Sequence, residues 1–176
     1  PVEVAFKIDR QDSKVQFTVG KYDPNQSLII DPTLTWHTFF GSSQYDSPYD
    51  MVADAGGNIY VMGSSVATWG SPVRAFSGSF YDAFVAKFNS SGTLVWNTFL
   101  GNSNNDQGYG IGLDNSGNIY VCGESESSWE SPVSPFTSGG NDAFVAKLDN
   151  SGVLQWNTFM GITTLNWPYP NVRGYE

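Results

Sequence analysis

Short apolar runs recur along this chain, each closed off by Asn, Asp, Ser or Gly. YGIGLD (Tyr109 to Asp114), NIYVCG (Asn118 to Gly123), DAFVAKL (Asp142 to Leu148) and VLQWNTFMG (Val153 to Gly161) read as four strands. The turns NSG and DNSG join the first to the second and the third to the fourth. Asn or Asp with Gly between β-branched and aromatic runs is a strong short-range hairpin signal. A loop of about 18 residues, ESESSWESPVSPFTSGGN, separates the two hairpins. No window sustains a helical period, so the pattern predicts no helix. The strands are apolar on both faces, which predicts that each four-stranded sheet is covered on both sides.

The same four strands occur twice. Trp36, Trp96 and Trp156 recur every 60 residues, in WHTFFG, WNTFLG and WNTFMG. Sliding the chain by that period lays residues 36–95 on 96–155 without an insertion or deletion. The matching blocks are DxxGNIYVxG from Asp54 and Asp114, WxSPVxxF from Trp69 and Trp129, DAFVAK from Asp82 and Asp142, and SGxLxW from Ser91 and Ser151. Trp167-Pro168-Tyr169 continues the register of Ser47-Pro48-Tyr49. Repetition at a fixed period should be read before anything else, because it sets the architecture. Antiparallel four-stranded sheets stacked face to face are β-propeller blades. A solenoid of the same units is the alternative.

These blocks carry a family resemblance. GxSxxDxxYxxxxDxxGNIYVxG followed by DAFVAKxxxSGxLxWNTFxG resembles the SBBP repeats of bacterial and archaeal β-propellers, distant relatives of NHL blades, over residues 36–169. The stretch from Phe17 to Trp36 is similar to the segment that leads into such repeats. The resemblance implies a secreted or surface-attached prokaryotic protein, and it carries no catalytic residues over.

The expected organisation is all-β: an incomplete propeller with an N-terminal β-hairpin. Residues 1–30 hold that hairpin, VEVAFKI and KVQFTVGKY around DRQDS, with Leu28 to Ile30 as a third short strand. It is either the end of an upstream β segment or a cover for a neighbouring edge. Residues 31–41 supply the outer strand of a preceding blade, 46–101 are blade 1, 106–161 blade 2, and 162–176 start another. A closed propeller takes about four to eight blades. An isolated pair would leave two apolar faces wet, and at ~500 Å² each that forgoes about 12 kcal/mol per face. The chain is therefore read as a fragment of a longer protein or as a unit that pairs with other copies.

Composition narrows the partners. Eight Lys and Arg stand against 17 Asp and Glu, a net charge of −9, with no basic run. Such a surface repels phosphate backbones, which excludes nucleic acid. No apolar stretch reaches a membrane span, so no insertion is expected. PVEVAFKIDR lacks the apolar core of a signal peptide; opening on Pro1 fits either a removed leader or a lost initiator Met. Cys122 is the only cysteine and is read as a buried small hydrophobe in a strand, where the first copy has Met62.

Candidate chemistry is sparse. His37 is the sole histidine, aligned with Asn97 and Asn157, and no GxSxG accompanies it. Gly108-Tyr-Gly-Ile-Gly112 lies in a strand with no helix after it, so it is read as small residues on a crowded inner strand. Glu124, Glu126 and Glu130 occur only in the second copy. Paired carboxylates would serve a propeller glycosidase or lyase, but here they fall on a Ser-rich loop and read as solvated.

Strand alternation places Asp46 and Asp82, and likewise Asp106 and Asp142, on one rim of each blade. Hard cations such as Ca²⁺ take several such oxygens; the alternative is that each Asp pins its loop through turn amides. Trp69 and Trp129 sit in the adjoining loops, either as sugar-stacking rings or as anchors folded onto their own blade. The expectation is a non-enzymatic structural, adhesive or assembly module, extracellular or at the cell surface. It has no catalytic residues and needs no cofactor. It would associate through blade faces and edge strands with other copies or the remaining blades. A carbohydrate-binding propeller using the rim loops is the alternative.

Overall fold

The computed structural model describes residues 4–9, 14–21, 23, 25, 36–137 and 140–161. Contacts divide the chain into two units, residues 1–35 and 36–176. In the first, strands β1 (Val4–Asp9) and β2 (Lys14–Val19) pair antiparallel, Val4 opposite Val19 and Asp9 opposite Lys14. The expected third strand at Leu28 to Ile30, the stretch 31–35 and the start of a further blade at 162–176 lie outside the described residues.

The second unit is two copies of one antiparallel sheet. Blade 1 is β3 (Asp46–Ala53), β4 (Ile59–Ser65), β5 (Asp82–Phe88) and β6 (Leu94–Leu100), hydrogen-bonded in that order. Blade 2 is β7 (Asp106–Leu113), β8 (Ile119–Ser125), β9 (Asp142–Leu148) and β10 (Leu154–Met160), with the same order. The described residues are all-β, without a helix, and the two sheets do not close into a ring.

Hairpin turns follow from the sequence chemistry. Asp54 Oδ1 accepts the Gly56 and Asn58 amides at 2.8 and 3.0 Å, and Asp114 Oδ1 takes Ser116 and Asn118 at 2.9 and 2.9 Å. Such Asx turns mimic a backbone turn and fix where the strand reverses. Bulges repeat as well: Tyr49 and Tyr109 are the extra residues between Pro48 and Asp50 and between Gly108 and Gly110. Their rings meet edge to face at 5.6 Å, joining the first strands of the two blades. The crowding expected along Gly108 to Gly112 is real at one end only. A Cβ on Gly108 would collide with the Met62 side chain, whereas one on Gly112 would meet nothing within 4 Å.

The core lies between the blades. Tyr60, Met62, Ala83, Val85 and Leu100 of blade 1 pack with Ile119, Val121, Phe144, Ala146, Leu148 and Phe159 of blade 2. A second cluster covers the opposite face of blade 1: Val61, Phe84, Ala86, Phe88 and Phe99 beneath Trp69, with Phe40 beside them. The expectation of two wet faces is thus corrected to one. Trp69 lies edge to face on Phe84 at 5.3 Å, and Phe40 stacks on Phe88 at 5.0 Å, so the rim loop and residues 36–40 shield that face.

Outer edges are blunted too. Val73 and Arg74 of the rim loop bond β6, Val73 N–H to Asn97 O at 2.8 Å and Phe99 N–H to Arg74 O at 3.1 Å. Val133 and Ser134 bond β10 in the same way, at 2.9 and 3.1 Å. An edge strand whose backbone groups are taken offers a poor template for another chain.

Candidate interaction surface

Strand pairing brings the four rim aspartates together two by two. Asp46 and Asp82 both pair with Ser65, and Asp106 and Asp142 both pair with Ser125. Each carboxylate is spent on its own loop. Asp46 Oδ2 accepts the Ser42 amide and hydroxyl at 2.7 and 2.9 Å, and its Oδ1 accepts Ser65 Oγ–H. Asp106 Oδ2 takes the Asn102 amide at 2.8 Å and Oδ1 the Ser125 hydroxyl. Asp82 Oδ2 accepts the Ser77 amide and hydroxyl at 2.9 and 3.1 Å, and Asp142 Oδ2 the Thr137 amide at 2.6 Å. Among the described residues no group of three or more His, Cys, Asp or Glu side chains gathers around a common point.

Burial raises the pKa of two of them. Asp82 and Asp106 are fully buried, and Asp82 Oδ1 has no hydrogen-bond partner. Desolvation pushes the Asp106 carboxyl up from 3.8 to about 6, against hydrogen bonds from Ser125 and Asn102, with the Asp82 charge adding to the rise. Desolvation also raises Asp82, opposed by the Ser77 amide and hydroxyl. In the turns the balance is reversed. Asp54 and Asp114 are held below the ordinary value, mainly by the Asn58 and Asn118 side-chain amides.

Both tryptophans fold inward. Trp69 is 6% exposed and Trp129 3%. Trp129 lies edge to face on Phe144 at 5.3 Å and on Phe159 at 5.7 Å. Asn97 and Asn157 hold the loops down, their side-chain amides donating to Trp69 O and Trp129 O at 2.8 and 3.0 Å. His37, at the aligned position, is exposed beside Phe39. The three glutamates are dispersed among separate partners. Glu130 pairs with Arg74 at 2.8 Å, and Glu126 accepts from the Asn105 amide at 2.9 Å. Glu124 stands near Tyr109, whose phenol donates to Gln107 Oε1 at 3.4 Å and is pushed up to about 12, first by desolvation and then by the Glu124 carboxylate.

Among the described residues, one blade face is left uncovered. It is the face of blade 2 turned away from blade 1, formed by Tyr120, Cys122, Ala143, Val145, Lys147, Trp156, Thr158 and Met160. Trp156 is 36% exposed and Met160 57%. Cys122 is exposed, contrary to the buried residue expected from sequence. Its counterpart Met62 is fully buried because blade 2 lies over it, and Cys122 sits on the last described blade. Apart from the half-buried Lys87, the counterparts on the same face of blade 1 are covered: Ala83, Val85 and Leu100 fully, Tyr60 and Thr98 nearly so, Trp96 to 9%.

Sequence reasoning overlooked the residue that joins the blades. Asn150, in the β9–β10 turn, accepts Tyr60 O–H at 3.2 Å and Lys87 Nζ at 2.6 Å through Oδ1, and Trp96 Nε1–H at 3.1 Å through its carbonyl. The sequence held no signal for it, since the matching position in the first copy is Ser90. Residues 95–128 match the family model of the SBBP beta-propeller repeat, from within β6 through β7 and β8 into the rim loop. No curated protein matches the chain.

Proposed function

With an SBBP beta-propeller repeat established at residues 95–128, we propose that the chain is a non-enzymatic assembly module of a secreted or cell-surface prokaryotic propeller, joined to the rest through the outer face of blade 2. One observation carries the reading. That face presents the residues that blade 1 buries, and apolar patches of this kind mark interaction sites. Outer edge strands contribute little, because the rim loops already bond them. The carbohydrate alternative would need stacking rings, and Trp69 and Trp129 are inside the blades. Hydrolysis would need two carboxylates flanking a common bond, and Glu126 and Glu130 are committed to Asn105 and Arg74 while Glu124 lies apart beside Tyr109.

The test uses Cys122 as a reporter. The chain is continued past Gly161 by a copy of residues 102–161 whose cysteine is changed to Met, the residue found at position 62. Labelling of Cys122 by a thiol reagent should slow at least about tenfold, as local opening becomes necessary for access. Unchanged labelling in a folded, extended chain would overturn the reading.

A further inference from the structure

The exposed face holds more than an apolar patch. In blade 1, Trp96, Tyr60 and Lys87 form a socket that the β9–β10 turn of blade 2 enters. Gly152, at φ +80°, presents its bare Cα to the Trp96 ring; a Cβ there would stand 2.8 Å from Cε3. The Asn150 side chain then lies between the Tyr60 hydroxyl and the Lys87 ammonium. The same fit occurs one blade earlier, where a Cβ on Gly92, φ +79°, would stand 2.5 Å from Cε3 of Trp36. Two independent copies of one contact define a rule for how these blades engage.

Blade 2 carries the same socket without a turn from a described residue in it. Trp156 and Tyr120 have ring centroids 6.5 Å apart, against 6.3 Å for Trp96 and Tyr60. Lys147 Nζ stands 5.5 Å from the Tyr120 ring, against 5.0 Å for Lys87 over Tyr60. The geometry points to a specific occupant: the third-to-fourth-strand turn of a further 60-residue blade on the same polypeptide. That turn carries Gly at the Gly152 position and a side-chain oxygen two residues before it. Gly is required because the ring excludes a Cβ and the backbone is left-handed. A side-chain oxygen fits there because the Lys ammonium only donates, as Lys87 does to Asn150 Oδ1 at 2.6 Å; the Tyr120 O–H already has Asp114 Oδ2 at 3.2 Å.

A second copy of the chain does not satisfy these conditions. Its two such turns are already filled, Gly92 by its own Trp36 and Gly152 by its own Trp96. Docking a second molecule would first have to dislodge residues 36–40, which also bury Phe40 against Trp69 and Phe88.

This inference rests on the reading above, and the same extended chain separates their failures. Changing Gly to Val at the Gly152 position of the appended copy, or Trp156→Ala, should restore most of the Cys122 labelling rate. Near-ultraviolet circular dichroism checks that each variant is folded. In the unextended chain Trp156→Ala should leave the unfolding midpoint almost unchanged. If Cys122 is protected but both substitutions leave it protected, a blade covers the face without the socket, and the inference falls while the reading stands. If labelling never slows, the reading itself falls. Light scattering on the unextended chain should give the mass of one molecule. A dimer in which Cys122 is protected would overturn the choice of occupant.

Discussion

Blades 1 and 2 present nearly the same residues on their corresponding faces, yet one face is core and the other is surface. Met62, Val85 and Leu100 are fully buried, while Cys122 and Met160 are exposed and Val145 is half-buried. Nothing intrinsic to the strands accounts for this, since the hairpins, bulges and rim loops repeat position by position. What differs is the neighbour. A blade of this type does not complete its own core: its apolar content is shared between two sheets, and burial is a property of the junction. Stability in repeat architectures accordingly divides into terms within units and terms between adjacent units.

The sharpest way to break the comparison is to truncate the same ring in both blades. Trp96→Ala should cost about 3–5 kcal/mol, the range for a large aromatic lost from a core, and it also removes the bond to Asn150 O. Trp156→Ala should cost under ~1 kcal/mol, as a half-exposed ring forgoes little burial. Chemical denaturation of the two variants measures both, and equal losses would show that the two faces are equivalent in solution. Next in size is Gly152→Val. The left-handed backbone costs a β-branched residue about 1–2 kcal/mol, and overpacking against Trp96 adds roughly 1–3 kcal/mol. A loss below ~1 kcal/mol would mean that the turn and the ring are not in contact.

Charge offers a subtler comparison between the buried junction and the exposed turns. Asp106 binds a proton more readily folded than unfolded, its carboxyl raised from 3.8 to about 6. Between those values the native state holds more protons, so stability falls as pH rises through the window. Asp82, also raised, acts in the same direction. Asp54 and Asp114 are lowered, so their contribution is present above about 3.8 and is lost on further acidification. Denaturation midpoints should therefore be higher near pH 5 than near pH 7, and fall again below about pH 3.5. Asp106→Asn should flatten the limb between pH 4 and about 6.5 while leaving the acid limb in place. A midpoint that rises from pH 5 to about 7 would contradict the burial of this carboxyl.

How much of this could be read from the chain depends on the range of the interaction responsible. The strands and tight turns were legible because their signals are local: Asp54 and Gly57, or Asp114 and Gly117, fix a reversal within a few residues. The blades were legible because the period is free of gaps. The covering of each face was not, because it depends on residues far away in sequence. Cys122 looked like core since strand pattern records which side a residue faces, not whether anything lies there. Trp69 and Trp129 left two readings open because a loop's direction is set by what it packs on, here Phe84 and Phe144. Asn150 aligns with Ser90, so identity between copies gave no warning of its role.

The smallest expected effect tests a place where the blades differ in sequence. Gly70, at φ +64°, is replaced in blade 2 by Glu130 at φ 55°. A left-handed backbone costs a residue with a Cβ roughly 1–2 kcal/mol, so Glu130 needs compensation. It comes from Arg74, which bonds the Glu130 carboxylate at 2.8 Å and Phe99 O and Gly101 O at 3.0 and 2.8 Å, its guanidinium 5.9 Å from the Trp129 ring. Exposed ion pairs contribute about 0–1 kcal/mol, so relief of strain and loss of the pair nearly cancel. Glu130→Gly should change stability by less than ~0.5 kcal/mol, whereas Arg74→Ala, which abandons two carbonyls as well, should cost about 1–2 kcal/mol. Thermal melts of the two variants and their combination decide it. If Glu130→Gly is as costly as Arg74→Ala, the ion pair and not the carbonyl bonds carries the stabilising effect of Arg74.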